Sequence, residues 1–527
     1  MSHPILSTTL LATTLLCASL IPATAVTYVR GNDGDPETLD QHKTSTIAES
    51  NILRDLYEGL VIYNTAAEVI PGVATAWETN ADGTVYTFTL RDDAKWSNGD
   101  PVTASDFVYS LNRIMDPATG AKYANILYPI RGAEALNKGE GGTLGVTAID
   151  DHTLEITLER PTPYFLELLT HQTGLPMHPA SVDEFGTDFV QPGNMVTNGA
   201  FTLSSFTPND KVVLQKNPMF HSADTVAFDT VEYVPFEDRA NCARRFEAGE
   251  VLSCSDIAAE QIKDLRNRLG DQVRVAPYLG VYYYGVNSAH EPFDDPRIRQ
   301  ALSMAIDREF IADEIWSGTM LPAYSWVPPG IGNYVDERPQ LDYATLPMLD
   351  REDAAIALLA EAGYGPDAPL PVEISYNNGE NHKNTATAIA SMWEPLGVDV
   401  SFNVRDASAH YAMLRDEKAH DVARAGWIGD YSDPQNFLFL NRADNPGFNY
   451  GNYSNPDYDA LLDTAAETVD LDARAVILAE AETMFLRDVP QIPILFYSSM
   501  SLVSPRLTGW DDNIQNVHPS RFLSITD

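Results

Sequence analysis

Residues 421–434 read D-V-A-R-A-G-W-I-G-D-Y-S-D-P, and the reading of this stretch decides the fold. Residues 422–425 have the pattern of a short buried strand. Gly426 breaks the pattern, Trp427 follows, Gly429 breaks it again, and Asp430 falls on the loop beyond. Two glycines around a tryptophan let another backbone come close. An acid just past a strand end is placed to meet a positive charge on a ligand. The alternative is a strand end with an incidental acid.

Around this stretch, strands and helices alternate from about 280 to 495. A long aromatic strand is expected at 278–286. The helix over 292–308 should start at Asp295, with Pro296 in the first helical position. Helices over 350–363, 384–396 and 411–418 alternate with strands at 372–376 and 398–404. That order predicts an α/β lobe with a partly parallel sheet. Residues 58–180 read as an α/β insert between two parts of something else. It holds an alternating strand at 85–91, the Asn98-Gly99 turn, a helix start at Thr103 with Asp106 three residues on, and a strand at 153–158. Ahead of the insert, Ile52, Leu53, Leu56 and Leu60 share helical spacing, with Gly59 as the breaker. Further strands are expected near 200, 213 and 232, and a short helix at 244–249.

A chain of 527 residues is too long for one core, so two or three domains are expected. Residues 1–25 have an apolar run ending in Ala23-Thr24-Ala25, the pattern of a secretory signal cleaved near Ala25. No later segment is long and apolar enough to span a bilayer. The net charge of −41 argues against nucleic-acid binding, which needs a basic surface. Cys242 and Cys254 are the two cysteines beyond the signal. An exported pair can oxidise, and the sequence leaves open whether these two do.

An enzyme should show its chemistry. There is no G-x-S-x-G elbow, no H-E-x-x-H and no phosphate-binding loop, and the histidines are scattered. Neither a catalytic constellation nor a metal or cofactor motif can be picked out.

Several stretches carry a resemblance: A-E-S-N-I-L-R-D-L-Y-E-G-L (48–60), F-T-L-R-D-D-A-K-W-S-N-G-D-P-V-T-A-S-D-F-V-Y-S (88–110), A-I-D-D-H-T-L-E-I-T-L (148–158), Q-P-G-N-M-V-T-N-G-A-F-T-L (191–203), P-F-D-D-P-R-I-R-Q-A-L (292–302) and 421–434 itself. Together they are similar to the periplasmic oligopeptide-binding proteins of ABC peptide importers, in solute-binding protein family 5. The first, the fourth and above all the last resemble the oligopeptide and murein-peptide branch. The resemblance implies an α/β, two-lobed periplasmic-binding-protein-like fold (type II, cluster C) with an extra α/β domain. The first lobe would comprise 26–57, 181–279 and 499–527, the extra domain 58–180 and the second lobe 280–498. It implies a monomeric periplasmic protein with no cofactor, which captures short peptides between its lobes and delivers them to permease subunits at the inner membrane.

The same resemblance assigns residues. Gly426 and Trp427 would pair with the peptide backbone from the second lobe, and Ile47, Ala48 and Glu49 from the first. Asp430 would take the peptide's α-ammonium. Arg415, Arg424 and His382 would receive the terminal carboxylate at different peptide lengths. Read without the resemblance, Arg415 and His382 are surface charge and Arg424 a structural ion pair. Tyr123 and Tyr497 would line the cleft, with Trp427 as a further wall. The chain departs from close relatives at Ser45 and Ser408, which reshape side-chain pockets, and at Gly280 and Ile428, where some relatives have a disulfide. Without that bridge the 421–434 loop is expected to be held by packing alone. The competing reading within the fold is a binder of murein peptide or another small solute with amino and carboxyl groups. Outside that class stand a secreted enzyme and an exported chaperone, the latter indifferent to a free amino terminus.

Overall fold

The computed structural model describes residues 25–526 apart from 237, 256, 259, 260 and 446 and the side chain of 408. All of the proposed signal except Ala25 lies outside the described residues.

Two long antiparallel strands, Val273–Val286 and Gln491–Val503, run through both halves of one eleven-stranded sheet. On one side of them lie Val422–Ile428, Leu370–Asn377 and Val398–Arg405 in that order. On the other lie Ser253–Cys254, Thr27–Asn32, Thr230–Pro235, Lys211–Lys216 and Phe201–Thr207. The register of the two shared strands slips between Pro277 and Val281 and again at Tyr282. Such irregularities bend a strand. Here they fall where the chain passes from one core to the next: Val273 packs in a small cluster, and Leu279 onward in the core of the second half.

Each half has its own core. One gathers Val281, Tyr283, Trp326, Trp393 and Phe485. The other gathers Tyr28, Ile52, Phe201 and Val231 together with Phe88 and Phe107, so the 58–180 insert shares a core with the strands it interrupts. The insert carries a four-stranded antiparallel sheet, ordered Ala74–Thr79, Val85–Leu90, Thr153–Thr157 and Val146–Asp150. Its helix Ala104–Met115 begins with Thr103 and Asp106 capping one another. The predicted partly parallel sheet is present in the other half. Leu370–Asn377 runs parallel to Val398–Arg405 and to the start of Val422–Ile428.

Three local expectations need correction. The helix Ile47–Leu56 ends before Gly59, and Tyr57 is already extended. The N–H of Gly199 takes the carbonyl of Leu56 at 2.9 Å and stops the turn there. The helix expected at 411–418 is an α segment, Ala407–Ala412, followed by a π turn, Met413–Glu417. The short helix expected at 244–249 runs from Arg239 to Glu247. Its Cys242 is bonded to Cys254 in a small cluster with Phe236, Phe246 and Leu265.

Candidate functional site

The strand Val422–Ile428 is paired along its whole length on one side and only at its start on the other. Against Val273–Val286 it pairs from Val286↔Val422 to Gly280↔Ile428. Against Leu370–Asn377 it pairs only at Ile374↔Val422 and Ser375↔Ala423. Beyond Arg424, whose carbonyl is held by His410 Nε2 at 2.8 Å, one edge has no main-chain partner among the described residues. Antiparallel residues alternate between facing the partner and facing away. The N–H of Gly429 bonds the Leu279 carbonyl and that of Asn287 bonds Asp421, which sets the phase. Ala425 and Trp427 therefore face the partner strand, and Arg424, Gly426 and Ile428 face away from it, Gly426 and Ile428 onto the open edge.

This corrects one expectation. The backbone of Trp427 is engaged with Val281, so Gly426, not Trp427, offers main-chain groups to the cleft. The Trp427 ring packs edge-on against Phe439 and Phe448, and its indole N–H donates to Asn436 Oδ1 at 2.8 Å. Gly426 is required for close approach: a Cβ there would lie 2.6 Å from the Tyr497 hydroxyl.

Just past the strand, Asp430 enters a cavity of about 290 Å³ shared by both halves of the molecule. Ser45, Ile47, Arg54, Tyr123 and His171 come from one side, and Ile428 and Gly429 from the other. The carboxylate is reachable from the cleft, yet protein fills most of the volume around it. Among the described residues no hydrogen bond or ion pair reaches it. Desolvation alone pushes its pKa up to about 6. Tyr123 is close enough for the Asp430 charge to help raise its hydroxyl pKa.

At the other end of the open edge Arg424 is buried, and among the described residues no carboxylate pairs with it, which counts against the ion-pair alternative. Its guanidinium donates to Asn377 Oδ1 at 2.9 Å and to the hydroxyls of Tyr411 and Tyr497 at 3.1 Å each. It lies 4.6 Å from the centre of the Tyr282 ring. Its Nε is buried with no partner. A cation ringed by neutral dipoles and π faces keeps its charge unspent. His382 bonds Tyr282 Oη at 3.2 Å, and burial together with the nearby Arg424 charge lowers its pKa to about 3, so it is neutral. Tyr411 continues to Tyr450, whose ring centre is 6.4 Å away, and exposed Arg415 sits against Tyr450. The structure thus sets Tyr497, Arg424, Tyr411, Tyr450 and Arg415 in one row leading away from Asp430.

The first-lobe residues divide. Ile47 is exposed and lines the cavity. Ala48 and Glu49 are buried in the first helical turn and present no extended edge. The Glu49 carboxylate accepts the N–H groups of Ser45 at 2.8 Å, Thr46 at 3.0 Å and Glu37 at 3.2 Å. It holds the helix start, as the third residue of a capping box does.

The loop after Asp430 is not held by packing alone. Arg474 grips the fully buried Asp433 through two bonds of 2.7 and 2.8 Å. Asn436 Oδ1 accepts the N–H of Asp430, and Ser432 Oγ that of Gly332. The Tyr431 ring stacks on Tyr164 of the insert, with centres 4.9 Å apart. Ile428 fills the space beside Gly280, where a side chain would strike its Cδ1 at 2.5 Å.

Sequence reasoning assigned no role to Arg54, His171, Asn377 or Tyr411. Arg54 lies inside the quoted 48–60 stretch, but a polar residue on an amphipathic helix gives no sign of facing a cavity. Among the described residues, no group of three or more His, Cys, Asp or Glu could hold a metal ion.

Residues 68–449 match the family described as bacterial extracellular solute-binding proteins, family 5. The periplasmic oligopeptide-binding protein OppA of Escherichia coli is 37% identical over 92% of this chain and 89% of its own length. The unliganded open form of MppA, a periplasmic murein tripeptide binding protein, superposes with a TM-score of 0.88 at 34% identity, covering 96% of this chain and 99% of that one. Another structure, of the Escherichia coli murein tripeptide binding protein MppA, gives 0.74 at the same identity and coverage.

Proposed function

The chain belongs to the bacterial extracellular solute-binding proteins of family 5, and on that premise we propose that it captures short peptides in the cleft between Asp430 and Arg424. The observation that carries this reading is the bare Asp430 carboxylate at one end of an open strand edge with an uncompensated Arg424 cation at the other. A peptide's termini are the complement of that pair.

The peptide adds to the free edge at Gly426 and Ile428, running antiparallel to the strand. Its ammonium meets Asp430 and its carboxylate meets Arg424. Four strand steps from 424 to 428 span ~13 Å, about the length of three or four extended residues. Longer peptides pass Arg424 and reach Arg415 along the tyrosine row, with His382 as a neutral neighbour. The first lobe closes over the other side, bringing Tyr123 and Ile47 onto the ligand. Bending at the register slips of the two shared strands is the simplest route to that closure. The chain acts in the periplasm as a monomer after cleavage near Ala25, and hands its peptide to permease subunits at the inner membrane. It does no chemistry on what it binds.

Native mass spectrometry of the protein purified from its own periplasm tests the reading. A population of masses from two to five residues is expected. A single defined mass bearing amino and carboxyl groups would instead favour a murein peptide, which meets the same two charges. Unaltered peptide affinity in an Asp430→Ala variant would sink the proposed role of that acid.

A further inference from the structure

The cavity that holds Asp430 contains a second unpaired charge. Arg54, on the helix Ile47–Leu56, lines it from the first lobe. Among the described residues no hydrogen bond or ion pair involves the Arg54 guanidinium. Its Nε is sealed and unpartnered. Its two Nη groups, equally without partners among the described residues, are not sealed; Arg54 lines this cavity and a much smaller apolar one beside Tyr57 and Tyr63, and of the two only this one has room for a ligand group. In a chain with 75 acidic residues and 34 basic ones, an arginine that meets none of them is in a place from which carboxylates have been excluded.

Its neighbours are donors. His171 lines the same cavity; its Nδ1 is engaged by the Thr173 hydroxyl at 2.9 Å and the Thr173 N–H at 3.4 Å, and in the tautomer with Nδ1 as acceptor the Nε2–H is a donor for the cavity. Burial and the Arg54 charge keep that imidazole neutral. Gln172 Oε1 accepts the Ser50 hydroxyl at 2.6 Å, which orients its amide so that the NH₂ end is left for the cavity. A guanidinium, a neutral imidazole and an amide NH₂ form one wall, with Asp430 as the single carboxylate in the cavity lining.

We infer that this wall is a carboxylate subsite, which makes the protein select peptides with an acidic side chain at the first or second residue. Asp430 takes the ammonium, and Arg54, His171 and Gln172 take the side-chain carboxylate beside it. Asp430 and the wall share a single cavity, so both groups come from the amino end of the ligand. The inference rests on the peptide-capture reading and narrows it. It distinguishes this end of the cleft from the Arg424 end, which receives the terminal carboxylate.

Isothermal titration of the mature protein at neutral pH with paired tripeptides tests it: Glu-Ala-Ala against Gln-Ala-Ala, Ala-Glu-Ala against Ala-Gln-Ala, and Ala-Ala-Ala as reference. At least one acidic peptide should bind about tenfold or more tightly than its amide twin. Arg54→Met should bring that ratio close to one while Ala-Ala-Ala binds within about threefold of wild type, because neutral peptides do not use the wall. Arg54→Lys, which keeps the charge, should retain part of the ratio. Equal affinity for both twins in the wild type overturns the inference without any variant, and so does a ratio that survives in Arg54→Met. Failure of every peptide, Ala-Ala-Ala included, would overturn the peptide-capture reading itself and the subsite with it.

Discussion

At one end of the cleft the Asp430 carboxylate stands without a partner among the described residues, and at the other the Arg424 guanidinium is held by Asn377, Tyr411, Tyr497 and the face of Tyr282. The two ends face the same problem, a charge kept ready in a poorly solvated place. They solve it differently because the groups differ in what they can give up. A carboxylate can take a proton, and Asp430, with its pKa near 6, is partway to doing so. A guanidinium cannot lose one, so it must be surrounded by acceptors and π faces that leave it charged. On the proposed function, the arginine end is fixed before the ligand arrives and the aspartate end is completed by it.

The largest expected effect attacks the aspartate end. Asp430→Asn should weaken binding of an unblocked tripeptide by ~2–5 kcal/mol, roughly 30- to 5000-fold, as loss of a desolvated charge pair does. An N-acetylated peptide should bind the wild type about as weakly and lose little more in the variant. If acetylation and the substitution add fully, the ammonium and Asp430 do not meet, and the contrast between the ends fails.

Between the ends, Gly426→Ala should cost ~1–3 kcal/mol in affinity. The new methyl would lie 2.6 Å from the Tyr497 hydroxyl and push that ring off Arg424. Titration with peptides of different length checks it: the loss should be larger for those whose carboxylate stops at Arg424 than for those that reach Arg415.

The start of the strand and the loop acid were legible in the 421–434 stretch because a period of two is a local signal, but the break expected at Gly426 is absent: pairing with Val273–Val286 carries the strand through Gly426 and Trp427 to Ile428. The partly parallel sheet followed from the alternation of elements. Which edge of the strand is open was not legible, since it depends on where Leu370–Asn377 stops pairing. The same holds for the split between Gly426 and Trp427, which is a matter of phase against Val281. Ala48 and Glu49 were misread because a capping box reaches back to the residues that look like an edge. Arg54 was invisible for a different reason. Its meaning lies in what it does not touch, and an absence of partners exists only in three dimensions.

The pH dependence of binding should show the difference between the ends directly. Binding an ammonium needs the ionised carboxylate. Below about 6 each pH unit should therefore weaken peptide affinity about tenfold, until other groups titrate. Arg424 contributes no slope, and a peptide's own carboxylate protonates only below ~3.7. His171 and His382, both held near 3, stay neutral through that window. Calorimetry from pH 7 down to pH 4.5 should give this slope in the wild type and a flat line in Asp430→Asn. A flat wild-type profile would mean that Asp430 is ionised throughout, as a carboxylate with a partner would be.

The smallest effect concerns the ligand-free protein. The folded-state pKa of Asp430, about 6, lies above its ordinary value of 3.8, so the side chain disfavours the fold when ionised. Its full stability is present below 3.8 and is lost as pH rises through about 6. Because the cleft admits water, the penalty at neutral pH is about 1 kcal/mol rather than what a sealed site would impose. Asp430→Asn should therefore match the wild type in thermal unfolding near pH 4 and exceed it by a degree or two at pH 7. Arg424→Met should do the reverse and lose stability at every pH, because it leaves the buried Asn377 acceptor and two tyrosine hydroxyls without their donor. An Asp430→Asn variant less stable than wild type at neutral pH would show that Asp430 already has a partner when the cleft is empty. Its charge would then be held in advance like that of Arg424, and the ligand would no longer be what completes that end.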